Sequence, residues 1–261
     1  MKAIWRGNIS FALLSIPVKA YSATHPRGLG FHLLHKKCST PLSYERHCPT
    51  CNIAVRWEDV VHGYEYEKGR YVTLTDEEIE SFLKQKRSIE VLKFIDRDSV
   101  EPIYYNHPYF LEPEEGAEKA YVLLRELLRQ EGKVALSKAV IKEREHIAVI
   151  RQYQDALLLH TLLYSEEVAK LEGLNIPVDI KLNKKELALG EELLKRFIGG
   201  FDIETYEDEF RHSIMELIRA KIEGKEIKIP PAKEAKKVVS LMDALKKSLK
   251  EKPLKRTRKL A

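Results

Sequence analysis

The chain has 261 residues, 44% hydrophobic and 33% charged, which is enough apolar content for one large or two small domains with a real core. The longest apolar run near the start, residues 9–18, is broken by Ser10, Ser15 and Pro17 and follows no basic leader, so neither an export signal nor a membrane span is expected and the cytoplasm is the expected home. The net charge of +5 is unevenly spread: residues 233–261 hold 11 Lys/Arg against 3 acids, whereas the other 232 residues hold 34 bases against 37 acids, and a near-neutral body with a basic tail points to a polyanion, nucleic acid before membrane.

In chain order, alternating or β-branched stretches predict strands over residues 8–14, 18–23, 53–61, 70–73, 89–95, 134–142, 146–153 and 156–164. Thr75 with Glu78 three residues on is a capping box that opens a short helix ending near residue 86. A second helix is predicted over 114–130, with Ala117, Ala120, Leu123, Leu124, Leu127 and Leu128 on one face and Gly132 closing it. Two more follow over 184–197 and 206–223, separated by Gly199 and Gly200, and Pro230-Pro231 marks a boundary. Within the tail, Val238, Leu241, Met242, Leu245 and Leu249 recur at helical spacing, with Lys246, Lys247 and Lys250 on the opposite face. The last ten residues, with Lys255, Arg256, Arg258 and Lys259, have too little apolar content to order by themselves. A strand-rich first part and a helical last third make this an α+β chain, and the long sequential strands suit an antiparallel barrel.

All three cysteines lie in one constellation: His35 and Cys38, a gap of nine residues, then Cys48 and Cys51. Two pairs with x-x spacing joined by a short loop match a structural zinc site, since each tight turn presents two ligands to one edge of a tetrahedron. His32 and His47 compete with His35 for the fourth place. A disulfide and buried free thiols are the alternatives. Such a site would be structural, with no open position for catalysis.

Catalytic equipment is not found. There is no dinucleotide-binding glycine pattern, P-loop, H-E-x-x-H or G-x-S-x-G. The acids Asp202, Glu204, Glu207, Asp208 and Glu209 admit a metal-dependent nuclease, but at the start of the 206–223 helix the helix dipole accounts for them. Arg144, Glu145 and His146 sit at a strand boundary and read as a solvated turn. A zinc-ribbon DNA-binding regulator is the remaining alternative; it predicts binding to closed circular as well as linear DNA.

Several separated stretches resemble the bacterial Ku family. These are residues 5–24, opening on Trp5, Arg6 and Gly7; residues 63–72, followed by Thr75 to Glu78; residues 100–113; residues 135–164, with Arg144, His146 and Asp155; and residues 238–245 in the tail. The resemblance implies a Ku-type β-barrel over residues 1–183, a long DNA-encircling bridge insertion at about residues 25–70, a helical C-terminal region over 184–230 and a basic tail over 231–261. It also implies a non-enzymatic homodimeric ring, nucleoid-associated, that threads onto broken duplex ends in non-homologous end joining, with an ATP-dependent DNA ligase D as partner. A ring grips phosphates whatever the sequence, and only a free end lets it thread on. Candidate phosphate contacts are Lys36, Lys37, Arg46 and Arg56 in the insertion, Lys138, Lys142 and Arg144 on later strands, and Lys246, Lys247, Lys255, Arg256, Arg258 and Lys259 in the tail. The Cys/His loop departs from many family members, so zinc rests on its spacing alone.

Overall fold

The computed structural model describes residues 1–26, 28–84, 88–141, 144–225 and 240–250. They belong to two compact units, Met1–Glu172 and Gly173–Ala261. Among the described residues no helix is long and apolar enough to cross a membrane.

The first unit is built on a closed barrel of seven strands. These are β1 (Trp5–Phe11), β2 (Leu14–Ser22), β7 (Ser88–Asp96), β8 (Tyr105–Pro113), β9 (Lys133–Ile141), β10 (Arg144–Tyr153) and β11 (Ala156–Leu162), in the ring order β1-β2-β8-β11-β10-β9-β7. Six neighbouring pairs are antiparallel and the closing pair, β1 with β7, is parallel. An odd number of strands in a closed ring cannot alternate direction throughout, so at least one pair must be parallel. Closure leaves the barrel no free edge.

The period-2 pattern sends Ile9, Ile16, Val18, Ala20, Ile89, Leu111, Ala135, Ala139, Ala148, Ile150, Leu157 and Leu159 into one buried cluster. The four alanines among them suit a lumen too narrow for large side chains from every strand. Helix α2 (Glu118–Glu131) packs onto the same cluster and against β2, β9 and β10. Its buried stripe is Tyr121, Leu124 and Leu128, preceded by Ala117. Leu123 and Leu127, predicted on the same face, are instead half exposed and line an apolar groove of about 310 Å³ with Phe11, Leu14 and Phe94. Gly132 closes the helix in the left-handed conformation, φ 61°.

The predicted strand over 8–14 is in fact a strand, a tight turn at Ala12-Leu13 and the start of the next strand. Ala12 takes φ 49° there with none of the usual turn residues. Strand β8 is an element that the sequence pattern does not announce. Arg144 to His146 lie within β10 rather than in a turn, with Arg144 opposite Ile141 across the β9–β10 pair.

Between β2 and β7 the chain leaves the barrel as an arm. It contains the short pair β3 (His47–Cys48) and β4 (Ile53–Ala54), the hairpin β5 (His62–Glu67) and β6 (Arg70–Leu74), and helix α1 (Asp76–Lys84). The expected strand over 53–61 is only two residues long and gives way to a 3-10 turn at Trp57–Asp59. The Thr75 capping box forms as predicted: the Glu78 amide donates to Thr75 Oγ1 at 3.2 Å and the Thr75 amide donates to Glu78 Oε2 at 2.8 Å.

The second unit holds α3 (Lys184–Lys195), α4 (Glu209–Ile222) and α5 (Leu241–Lys250), with α5 packed on α3. Asn183 and Glu186 form a capping box at the start of α3. The predicted start of the next helix at 206 moves to 209 because Asp208 is its cap, accepting from the Arg211 amide at 2.9 Å.

Candidate nucleic-acid interface

The arm is ordered secondary structure without a core. Among its described residues from 24 to 78 none is buried, and only Leu29, Cys48 and Val55 are partly so. Phe31, Leu33, Tyr44, Ile53, Trp57, Tyr64, Tyr66 and Tyr71 are all more than half exposed, Tyr44 at 83%. Two-stranded sheets are marginal in water on their own, and this many exposed aromatic and aliphatic side chains on one arm point to an interaction surface.

Two small turns in the arm carry the Cys/His constellation. In the first, Leu34 bridges Pro41, the Ser39 amide donates to the His35 carbonyl at 2.8 Å, and His35 Nδ1 lies 3.0 Å from Cys38 Sγ. In the second, His47 pairs with Ala54 and Cys48 with Ile53, and the Asn52 amide donates to the Cys48 carbonyl at 2.9 Å. The Cys38 thiol is held below its ordinary pKa by hydrogen bonds from the Thr40 side chain and amide. Cys48 is lowered by the amides of Cys51 and Thr50, while its hydrogen bond to the Cys51 thiol raises the latter. All three cysteines are free. Amide donors aimed at a sulfur favour the thiolate, the form that binds a soft metal. Among the described residues no group of three or more His, Cys, Asp or Glu side chains is gathered closely enough to hold an ion.

The predicted phosphate contacts differ in how far they are already engaged. Lys36 and Lys37 are exposed in the first turn and have no ion pair among the described residues. Arg46 lies over the Trp57 ring, 4.5 Å from its centroid. Arg56 is bound to Asp59 at 3.3 Å and to Glu58 at 3.8 Å. On the barrel, Lys138 pairs with Glu145 at 3.6 Å and Arg144 with Glu167 at 2.8 Å. Lys246 and Lys247 are exposed on α5. Lys142, Lys255, Arg256, Arg258 and Lys259 lie outside the described residues.

Sequence reasoning read residues 70–73 as a strand but named no site residue in the β5–β6 hairpin, where Arg70 sits 5.8 Å over the Tyr66 ring and Tyr64 and Tyr71 are exposed. The clustering of Tyr64, Tyr66 and Tyr71 within eight residues was the available signal. The acidic residues do not converge on a site: Asp202 accepts from the Glu204 amide at 3.1 Å and Asp208 caps α4.

These features define a barrel protein with a long, exposed, aromatic and cation-bearing arm. The sequence profile of the Ku70/Ku80 beta-barrel domain matches residues 10–189. Three proteins named non-homologous end joining protein Ku are similar over most of the chain. That of Symbiobacterium thermophilum is 39% identical, covering 95% of this chain and 63% of the relative. That of Heliobacterium modesticaldum is 37% identical, covering 96% and 92%, and that of Bacillus subtilis is 35% identical, covering 95% and 82%. The chain thus spans 63% of the Symbiobacterium relative's length. This chain belongs to the Ku family.

Proposed function

We propose that the chain is a non-catalytic, homodimeric clamp that loads onto broken duplex DNA ends without reading sequence and serves non-homologous end joining. The observation that carries this reading is the coreless arm, whose exposed aromatic and aliphatic residues require a cover that the barrel does not provide. A second copy supplies that cover symmetrically, and two arms crossing between two barrels leave an opening for a duplex. Lys36, Lys37 and Arg46 face solvent on the arm and are the first candidates for its phosphates. An ATP-dependent DNA ligase D acts next on the held ends and meets the helical second unit, in the nucleoid of the cytoplasm.

The test is binding to a linear duplex of about 40 base pairs against the same sequence closed into a covalent circle, at moderate salt. Binding to the linear form alone is the expected result, and equal binding to both forms would overturn the ring. The double substitution Lys36→Ala, Lys37→Ala should weaken binding to all sequences equally. It should also lower the slope of log affinity against log salt by about one for each lysine removed.

The arm also carries a proposed structural zinc, held by Cys38, Cys48, Cys51 and a histidine. His35 is favoured because its ring already faces Cys38. The donor set is chemically complete for zinc, and both turns exist without it, so the ion's part is to draw the two pairs together and stiffen the arm. Protein purified without chelator should hold about one zinc per chain, and Cys48→Ser with Cys51→Ser should hold almost none. Metal content near zero in the unaltered protein would remove zinc from the arm.

A further inference from the structure

The outer face of the barrel carries a second, smaller apolar cluster. Val134, Val149 and Leu162 are its core, and Val100 and Tyr104 from the segment that joins β7 to β8 pack against it with Tyr105, the first residue of β8. At the edge of this cluster is a depression of about 460 Å³ whose polar lining comes from Arg97, Asp98, Arg151 and His160, with Tyr105 as a wall. Arg151 on β10 is partly buried and fixed by stacking on Tyr153, 5.3 Å from the ring centroid. Among the described residues its side-chain hydrogen bond is a long one, 3.4 Å, to the Gln152 carbonyl. Neither arginine has a carboxylate partner among the described residues, Asp98 included.

His160 on β11 meets the Tyr105 ring edge-on, at 5.2 Å between centroids. Its Nδ1 is buried and has no hydrogen-bond partner among the described residues, an uncommon state for a polar atom. Burial, then the charges of Arg151 and His107, hold the imidazole's pKa down to about 4, so it is neutral near pH 7. Burial and the charge of Arg97 likewise lower Arg151 from its ordinary value. The depression therefore sets two guanidiniums beside one carboxylate, Asp98, and keeps a net positive charge.

We propose that this depression is a binding site for a tetrahedral phosphoanion, gripped by the guanidinium groups of Arg97 and Arg151 beside the imidazole of His160. The two guanidiniums present planar forks suited to phosphate oxygens. The ring face of Tyr105 and the stacked Tyr153 restrict both His160 and Arg151 to one arrangement, so little ordering is required on binding. Two sources supply such a group: a free phosphate or pyrophosphate ester, and a backbone phosphate of duplex DNA. The site does not depend on the clamp reading, since its residues lie on the barrel wall and not on the arm.

The full chain is titrated with inorganic pyrophosphate by calorimetry, while the His160 ring signals are followed by NMR. Expected is saturable binding at one site per chain, a shift of the His160 resonances, and a loss of affinity of about tenfold or more in Arg97→Gln. Arg97 lies exposed on a 3-10 turn, so this variant keeps the fold. The Arg151→Gln variant should lose affinity by a similar factor, with an unchanged circular dichroism spectrum. Absence of binding up to about 10 mM, or binding that Arg97→Gln leaves intact, overturns the site. Linear duplex then identifies the source. If it displaces pyrophosphate and loses affinity in Arg97→Gln, the occupant is a backbone phosphate; if both remain bound together, it is a free phosphoanion. A protein that binds pyrophosphate but no duplex would sink the clamp and leave this site standing.

Discussion

Replacing Tyr64, Tyr66 and Tyr71 together by serine is expected to convert the proposed dimer into a monomer of 30.3 kDa without unfolding the barrel. The three rings sit on the β5–β6 hairpin, with Tyr64 opposite Val72 and Glu65 opposite Tyr71 in the ladder, so they cover both faces of the ribbon. All three are exposed in the single chain, and nothing in the barrel loses packing when they are removed. Burying an aromatic side chain at an interface contributes roughly 1.5–3 kcal/mol. Losing three should therefore weaken self-association about a thousandfold or more. Sedimentation equilibrium reads this directly, and thermal unfolding should be nearly unchanged, since surface substitutions away from packed features seldom matter by more than about 0.5 kcal/mol. If the clamp depends on two crossed arms, end-dependent DNA binding should disappear with the dimer. A variant that remains dimeric would place the subunit contact elsewhere and leave the arm's exposed rings without their cover.

The barrel was largely legible in the sequence because its strands are apolar and β-branched stretches, with consecutive buried residues at Ala148, Val149 and Ile150 in β10 and at Leu157, Leu158 and Leu159 in β11. Stretches read over 89–95, 134–142, 146–153 and 156–164 fall within two residues of β7, β9, β10 and β11. Strand β8 was hidden because Pro108 and Pro113 argue against a strand set between two neighbours. It persists with Pro108 opposite His160, next to a register shift between His160 and Leu162. The hairpin at Ala12-Leu13 carries no glycine or asparagine, so nothing in its composition announced the turn. Ring order was equally hidden, since β2 pairs with β8 across most of the chain's first half. In the arm, β-branched residues misled, because exposure on both faces removes the alternation on which a strand reading depends.

Candidate cations posed a different problem. Residue type and position picked out Arg56, Lys138 and Arg144, but each is engaged by a carboxylate that only the local fold or the strand register reveals. The same blindness hid Arg97 and Arg151, more than fifty residues apart in sequence and brought to one depression by the way β7 leads over the outer barrel face. The two cysteine turns were legible because they are local: His35 with Cys38 and Cys48 with Cys51 each lie within four residues, and no distant contact is needed to form either turn.

Tyr121→Phe should be among the most damaging conservative substitutions in the barrel. The Tyr121 hydroxyl donates to the Leu111 carbonyl at 2.6 Å and accepts from the Leu157 amide at 2.7 Å. Leu111 and Leu157 face each other across the β8–β11 pair and are both buried, so one phenol joins two strands to the helix that packs on the barrel core. Phenylalanine keeps the ring and its packing but leaves one backbone donor and one acceptor unpaired away from water. Each such group costs about 1–3 kcal/mol, so the pair should cost about 2–6 kcal/mol. For a unit of this size that corresponds to a fall in melting temperature of roughly 5–15 °C. Leu128→Ala, which empties volume on the same helix, should cost a similar about 2–5 kcal/mol by a different route. Hydrogen exchange separates the two. In Tyr121→Phe the Leu157 amide should lose protection beyond what the global destabilisation explains, because its acceptor is gone, whereas in Leu128→Ala that amide should exchange only with global unfolding. Equal protection of Leu157 in both variants would show that water or a rearranged strand replaces the phenol, and that the barrel seam does not depend on it.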